Sequence, residues 1–534
     1  MGSTAKDGGR EDERLELRLL TYVIGNPWSK YPKEYAWREV RYRLDDAVRC
    51  RSENIDSRMA RTTLPILYKC IKPEILIFVI QDTILAQPID GSYGDVVRAI
   101  ESQLHKFLEQ IDGNLYHEIK DKMRVIVAPG VGRFINTASA NSGDVRFEIN
   151  ICGSLQEFYS YVFLRLASIM LEAVKAKVGS GGLNTLEVHL DLTHGINYMP
   201  TLTYKALIDI IPVIAAYIGG DERGREVKVN FITYNSEPVI SGVSEEHEFT
   251  VHIVENLKVR EGGNFGLIPS FEAPWGRLFK SNDRCIRENV GEVGKSIAEA
   301  SDNIANNMGL NVELLSAYAG SLVNGLPLLL LKTIPEVELK DYVGNVVEAY
   351  YDMIKVNTSR QECRKARITV NISRKAQLTR TSIAIAKLLL ARDLIRLRYE
   401  VKYDEEKGVS LEDLKRLVKI AFNWNERLRV VVSRDIYEVE EESKKLPRGE
   451  WIPWGGYESR VKQGEGGLSE KAGDCMDKFD DREQRNFIQH SGLHRCLVEV
   501  KVEEGRVTLR YSPERYGRFS KDIHFTASKG LVRV

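Results

Sequence analysis

Hydrophobic patterning divides the chain into two unlike halves. From Leu17 to about Asn256, short apolar runs alternate with longer stretches whose apolar residues recur at every third or fourth position. That is the pattern of strands buried on both faces, interleaved with amphipathic helices. It predicts strands over 17–24, 74–80, 124–127, 186–192, 227–234 and 248–253, and helices over 95–108, 155–177 and 204–217. The alternation gives a layered α/β domain with a mostly parallel, Rossmann-like sheet. After Glu261-Gly262-Gly263-Asn264 and the proline-containing segment 268–274 the pattern turns helical, and parallel strands are not expected to return. Helices are predicted over 290–307, 310–323, 339–353, 377–397 and 411–422, followed by a long loop over 446–473. A helix over 477–493 and a closing strand pair, 496–502 and 506–511, complete the chain. The expected organisation is a disordered tail at 1–16, an α/β domain at 17–258, a linking helical domain at 259–370 with room for a helix-turn-helix, and a mainly α-helical domain at 371–534.

Composition narrows the function classes. The 76 Lys and Arg cancel the 76 Asp and Glu, so nucleic acid is met by local basic patches and not by a global field. Seven cysteines (Cys50, Cys70, Cys152, Cys285, Cys363, Cys475 and Cys496) are scattered, without a C-x-x-C pair. Neither a zinc site nor a disulfide framework is expected, and reduced thiols in a cytoplasmic protein are. Residues 1–14 lack the apolar core of a targeting segment. The longest apolar stretch, 206–218, is interrupted by Asp209 and Pro212 and is shorter than the ~20 residues of a membrane span.

Candidate chemistry gathers at strand ends. Asp191-Leu192-Thr193-His194-Gly195 follows one predicted strand, with Asn197 just beyond it, and Gly25-Asn26-Pro27 follows another. Pro129 and Gly130 follow a third. Ligands of open α/β sheets bind at the carboxyl ends of strands, where Gly admits close backbone approach and a helix N-terminus favours an anion. Thr and His add hydrogen bonds to phosphates or base edges. Gly130-Val131-Gly132 lacks the third Gly and the downstream acid of a dinucleotide fingerprint, which argues against a nicotinamide cofactor.

Asp191 to Gly195 reads as the D-x-T-H-G motif of a type III CRISPR-associated family, and Gly25-Asn26-Pro27 with Trp28 resembles the opening strand end of that family. The resemblance implies a CARF domain that dimerises and binds a ring of adenylates across its two-fold axis. Gly25, Asn26, Pro27, Pro129, Gly130, Asp191, Thr193, His194, Gly195 and Asn197 are then the ligand-binding candidates. The stretch 145–153 departs from the family pattern and matches nothing in it. A ligand on a two-fold axis binds best when it is itself two-fold symmetric, which favours rings of four or six adenylates over three or five. The resemblance favours four, making cyclic tetra-adenylate the expected allosteric activator.

The second candidate is Arg485-Asn486-Phe487-Ile488-Gln489-His490-Ser491-Gly492-Leu493. Arg holds a permanent charge suited to phosphate, and His moves protons near neutral pH, which together serve cleavage by the RNA 2'-hydroxyl. The string resembles the R-x4-6-H motif of HEPN ribonucleases. Carried over, Arg485 and His490 are catalytic, Asn486 is a supporting polar residue, and Phe487 and Leu493 are core. Five residues along a straight helix separate two side chains by roughly 140°, so a productive pair needs two copies of the helix around one phosphate. The basic run Arg374, Lys375, Arg380, Lys387, Arg392, Arg396 and Arg398 is a candidate RNA guide, or else a solvated helix face.

The resulting expectation is a homodimeric, cyclic oligoadenylate-activated, metal-independent endoribonuclease that cuts single-stranded RNA to 2',3'-cyclic phosphate and 5'-hydroxyl ends, with no cofactor. Two rivals are a CARF transcription regulator with a DNA-reading motif within 277–369, and a ring nuclease whose Thr193 or His194 helps to cut the adenylate ring.

Overall fold

The computed structural model describes residues 15–30, 34–35, 37–51, 57–139, 145–180, 182–219, 226–239, 247–283, 285–286, 290–361, 366–455 and 476–534. The expected tail and the stretch 456–473 of the expected loop lie outside the described residues, apart from positions 15 and 16.

The N-terminal half is built on β1 (Glu16–Ile24), β2 (Val40–Leu44), β3 (Ser57–Ala60), α1 (Leu64–Ile71), β4 (Ile75–Gln81), α2 (Tyr93–Ile111) and β5 (Met123–Ala128). It continues through β6 (Gly132–Ser139), β7 (Val145–Gly153), α3 (Leu155–Gly179), β8 (Thr185–His194), α4 (Tyr198–Tyr217), β9 (Lys228–Ser236) and β10 (Glu248–Glu261). The main sheet runs β3-β2-β10-β9-β8-β1-β4-β5. Its β9-β8-β1-β4-β5 core is parallel. Leu19, Leu20, Ile77, Phe78, Val188 and Leu190 are fully buried, as strands covered by helices on both faces require. The chain leaves β1 for β4 on one side and returns through α3 to β8 on the other, so the strand order reverses between β1 and β8. Open α/β sheets bind ligands at such a point. This is the expected Rossmann-like domain.

The later half is mainly helical. It comprises α5 (Val290–Asn307), α6 (Val312–Asn324), α7 (Pro327–Thr333), α8 (Leu339–Asp352), β11 (Ile354–Gln361), β12 (Ala366–Arg374), α9 (Arg380–Arg398), α10 (Leu411–Ala421) and α11 (Glu426–Ser443). It closes with α12 (Asp481–Gln489), β13 (Val498–Glu503), β14 (Arg506–Tyr511) and α13 (Pro513–Ala527).

Three expectations are corrected. Parallel pairing does return: β12 lies parallel to β7 in a four-stranded sheet ordered β11-β12-β7-β6. The unmatched stretch 145–153 is thus the strand that receives the later half, and residue 370 falls inside its partner. The basic run is a solvated face only in part: Arg380 and Arg398 are exposed, whereas Arg374, Lys387 and Arg392 are buried. Arg374 is fully buried in an ion pair with Asp82, Lys387 sits 3.8 Å from Asp209, and Arg392 donates to the Pro335 and Glu336 carbonyls. Helix α9 is a core helix that engages Lys387 and Arg392 internally and leaves Arg380 and Arg398 exposed at its two ends. The cysteines are not all reduced thiols: Cys50–Cys70 and Cys152–Cys285 are disulfides, the second joining positions 133 apart. Spacing along the chain cannot reveal such proximity.

Arg374 also anchors the junction between the halves. Asp82 lies at the end of β4, Tyr93 opens α2 and donates to Asp82, and Glu157 on α3 accepts from Tyr350 of α8. Burial pushes Glu157 up to about 8 and Arg374 down to about 9. Helix α4 is long and apolar enough to cross a membrane, but 61% of that window is buried within the fold, as in a core helix.

Candidate ligand crevice and nuclease site

At the switch point the Gly25 amide donates to the His194 carbonyl at 2.8 Å, closing the ends of β1 and β8 together. A Cβ on Gly25 would stand 3.0 Å from that oxygen, and one on Gly195 would meet Pro200 at 2.6 Å and Val23 at 2.8 Å. Both positions therefore need glycine for close packing. Asp191 is fully buried and accepts from Thr63 and Thr193, each at 2.7 Å. Burial raises its carboxyl to about 6 against these bonds. Thr193 Oγ1 accepts from the Ser236 amide at 3.1 Å, and His194 Nε2 accepts from the Thr63 amide at 3.2 Å. Burial lowers the His194 imidazole to about 3, so it is a neutral acceptor.

Over this strand end opens a cavity of about 600 Å³, whose walls include Trp37, Arg38, Arg61, Thr193, His194 and Glu237. The Trp37 ring centroid lies 4.6 Å from that of His194. Of the sequence candidates, Thr193 and His194 line the cavity and Gly25 adjoins it. Asp191 lies beneath it as a hydrogen-bonding base, and Asn197 is exposed at the start of α4. Pro27, Pro129 and Gly130 are buried and stand outside its lining, while Asn26 is half-buried. The Gly130 amide, just past β5 and three strands away from β8, donates to Asp82 Oδ1 at 2.8 Å. Trp37, Arg38 and Arg61 escaped the sequence reading because they come from irregular chain between strands. An aromatic with two cations, Trp37-Arg38 and Arg61, was the available signal.

In the helical half, Asp480 caps α12 by accepting from the Arg482 and Glu483 amides. The helix is shorter than expected. It stops at Gln489 with His490 as C-cap, because Ser491 and Gly492 adopt φ of 52° and 73° and Gly492 donates back to the Phe487 carbonyl. Phe487 and Leu493 are fully buried and pin the motif to the domain. Arg485 is exposed and lines a second cavity, of about 580 Å³, with Asn324, Thr526 and Lys529. His490 faces α11 instead, where its ring nitrogen and carboxylate oxygens of Asp435 and Glu438 lie within 4.8 Å of one another. Asn486 donates to Glu483 at 3.4 Å. Arg485 and His490 of one chain therefore project into different surroundings.

The Asp435-Glu438-His490 group is the one ligand-like cluster among the described residues. Its acids already have partners: Asp435 accepts from Ser491 at 2.6 Å and pairs with Arg434 at 3.2 Å, and Glu438 pairs with Arg495 at 2.7 Å. Such a set suits the holding of an imidazole better than the capture of a free ion. His494, next to the motif, is buried and bonded to Glu483 at 2.7 Å, and burial lowers its pKa.

A Rossmann-like sensor sheet with a crevice at its switch point, followed by a helical domain carrying Arg485 and His490, defines the class: the chain belongs to the CARF-HEPN ribonucleases of CRISPR systems. Residues 19–238 match the family model described as CRISPR system endoribonuclease Csx1, CARF domain, and residues 425–514 match the corresponding HEPN domain. The chain is similar to the CRISPR system endoribonuclease Csx1 of Methanocaldococcus jannaschii, with 24% identity over 524 residues, 96% of this chain and 93% of that protein.

Proposed function

We propose that this protein is a homodimeric endoribonuclease that cuts single-stranded RNA without a metal ion when cyclic oligoadenylate fills its sensor crevices. Arg485 holds the scissile phosphate and His490 moves the proton between the attacking 2'-hydroxyl and the leaving oxygen. The products are a 2',3'-cyclic phosphate and a 5'-hydroxyl. The observation carrying the reading is the separation of the pair within one chain. Arg485 faces a cavity and His490 faces α11, so a second copy must complete the site. Val430, Val431 and Tyr437 support this, standing exposed on α11 beside the His490 cluster. Trp37 offers an adenine a stacking face, and Arg38 and Arg61 offer its phosphates charge. A cytoplasmic location belongs to the same reading. The test is cleavage of a fluorescent single-stranded RNA titrated with rings of three to six adenylates. Best activation by four is expected, a best response to six corrects the ring alone, and one to three or five rejects an axial site.

A further inference from the structure

The cavity beside Arg485 is more than the surroundings of one side chain. Asn324 comes from the end of α6, Asp481 and Gln484 from α12, and Thr526 and Lys529 from α13 and the turn after it. Its volume of about 580 Å³ accommodates a nucleotide. Thr526 is 2% exposed and its hydroxyl has no hydrogen-bond partner among the described residues. Buried polar groups are normally bonded, so this enclosed hydroxyl just behind the cavity wall is one that a ligand atom would satisfy on a small shift of the wall. The Asn324 amide nitrogen is already committed to the Ala527 carbonyl at 2.9 Å, which leaves its carboxamide oxygen to face a base. Lys529 is exposed and lies 3.4 Å from the Gln484 side-chain oxygen, and no carboxylate among the described residues pairs with it. Asp481, the one acid in the wall, complements the exocyclic amine of a base and not a phosphate.

We propose that this cavity seats the RNA nucleotide adjoining the scissile phosphate, with Lys529 binding that nucleotide's phosphate and Thr526, Asn324 and Asp481 facing its base. The inference rests on the ribonuclease reading above and extends it from the cutting pair to a substrate subsite. Lys529 is then a binding residue and takes no part in proton transfer.

The experiment compares wild type, Lys529→Gln, Lys529→Arg and Thr526→Val in cleavage of a single-stranded RNA across a salt series, with RNA binding followed by anisotropy. Lys529→Gln is expected to raise KM about tenfold, the size of one charge-assisted hydrogen bond, with kcat within about twofold. The slope of log affinity against log salt should flatten by about 0.7, the signature of one lost single-strand phosphate contact. Lys529→Arg should restore both, and Thr526→Val should raise KM for some bases at the adjoining position while leaving the salt slope intact. Wild type that cuts RNA while Lys529→Gln keeps its KM and slope overturns the subsite alone, as does a loss confined to kcat. Weaker dimerisation with unchanged RNA binding assigns the cavity to the subunit interface and also overturns it. Wild type that neither binds nor cuts RNA overturns the ribonuclease reading beneath it.

Discussion

The two sites are built to opposite principles. The sensor crevice rests on the ends of long, buried strands, and its polar floor is fixed: Asp191 is held by Thr63 and Thr193, and His194 by the Thr63 amide and the Trp37 ring. The nuclease motif sits on a nine-residue helix, with Arg485 exposed and His490 at its C-cap. A prebuilt pocket binds its ligand without reorganising, whereas a divided pair works only when something brings the parts together. On the proposed reading, recognition lies in the half with the prebuilt crevice and control in the half whose catalytic pair is divided. The junction between them is itself stiff, since β12 adds to β7 and Arg374 is locked to Asp82, whose other oxygen binds the Gly130 amide. On the proposed reading, a ligand that shifts the sheet ends acts on the helical half through this junction.

The largest effect that separates the two sites is expected in the nuclease motif. Arg485→Ala and His490→Ala should each lower RNA cleavage at least ~10²-fold, the usual loss on removing an acid-base group, while binding of the adenylate ring stays at wild-type strength. Single-turnover cleavage beside calorimetric ring binding measures both. Retained cleavage in both variants would remove the motif from the chemistry.

A smaller and opposite pattern is expected at Trp37. Base stacking on an aromatic contributes about 1–3 kcal/mol, so Trp37→Ala should weaken activation by the ring roughly ten- to a hundredfold while unstimulated cleavage is unchanged. Trp37→Phe should recover most of the difference. Equal loss of basal and activated rates would contradict the division between recognition and control.

Trp37 also shows where sequence reading ends. Strands β1, β4, β5, β8 and β9 were legible to within about two residues because each is a continuous apolar run, and the D-x-T-H-G and R-x4-H strings were legible because their spacing is short. Trp37 reaches His194 only through folding, across 157 positions of chain. Strands β7, β11 and β12 were missed because the local β11–β12 hairpin joins β7 only through a pairing more than 200 residues apart. Helices α11 and α13 were missed because their charge-rich surfaces dilute the apolar period. Arg374, Lys387 and Arg392 misled for a related reason: composition reports charge but not the buried acids and carbonyls that receive it. Around Arg485 the motif was plain, but its break after Gln489 depends on Ser491 and Gly492 entering the left-handed region.

The rigidity of the sensor floor has a titration signature. The Asp191 carboxyl is raised by burial to about 6, above an unfolded value of about 3.9, so between those limits the native state holds the extra proton and this group's contribution falls as pH rises. The His194 imidazole is lowered to about 3, below an unfolded value of about 6.5, so the unfolded state holds the extra proton and this contribution rises with pH. From about pH 4 to 6 the two slopes oppose each other. Removing one should uncover the other: in His194→Gln stability should fall with rising pH, and in Asp191→Asn it should rise, each by about 1 kcal/mol per pH unit at most. Urea midpoints at half-unit intervals measure this. Slopes of the same sign in both variants would show that burial of these two groups does not set the pH dependence of the floor.

The smallest expected effect is a null one, and it bears on the nuclease half. Asp435, Glu438 and His490 approach closely enough to invite an ion, yet Arg434, Arg495 and Ser491 already engage the two acids. With its charge matched from within the protein, the cluster has little left to offer a divalent cation, and an imidazole bound to one could not shuttle a proton. Treatment with EDTA should therefore leave ring-activated cleavage within about twofold of the untreated rate, against the hundredfold or greater loss a metal-dependent nuclease would suffer. Added zinc, which favours His and carboxylate ligands, is the sharper arm. If the cluster serves only to hold His490, micromolar zinc should not inhibit, and Glu438→Gln should lower kcat. Loss of cleavage in EDTA with recovery in magnesium would replace the acid-base mechanism by a metal-assisted one.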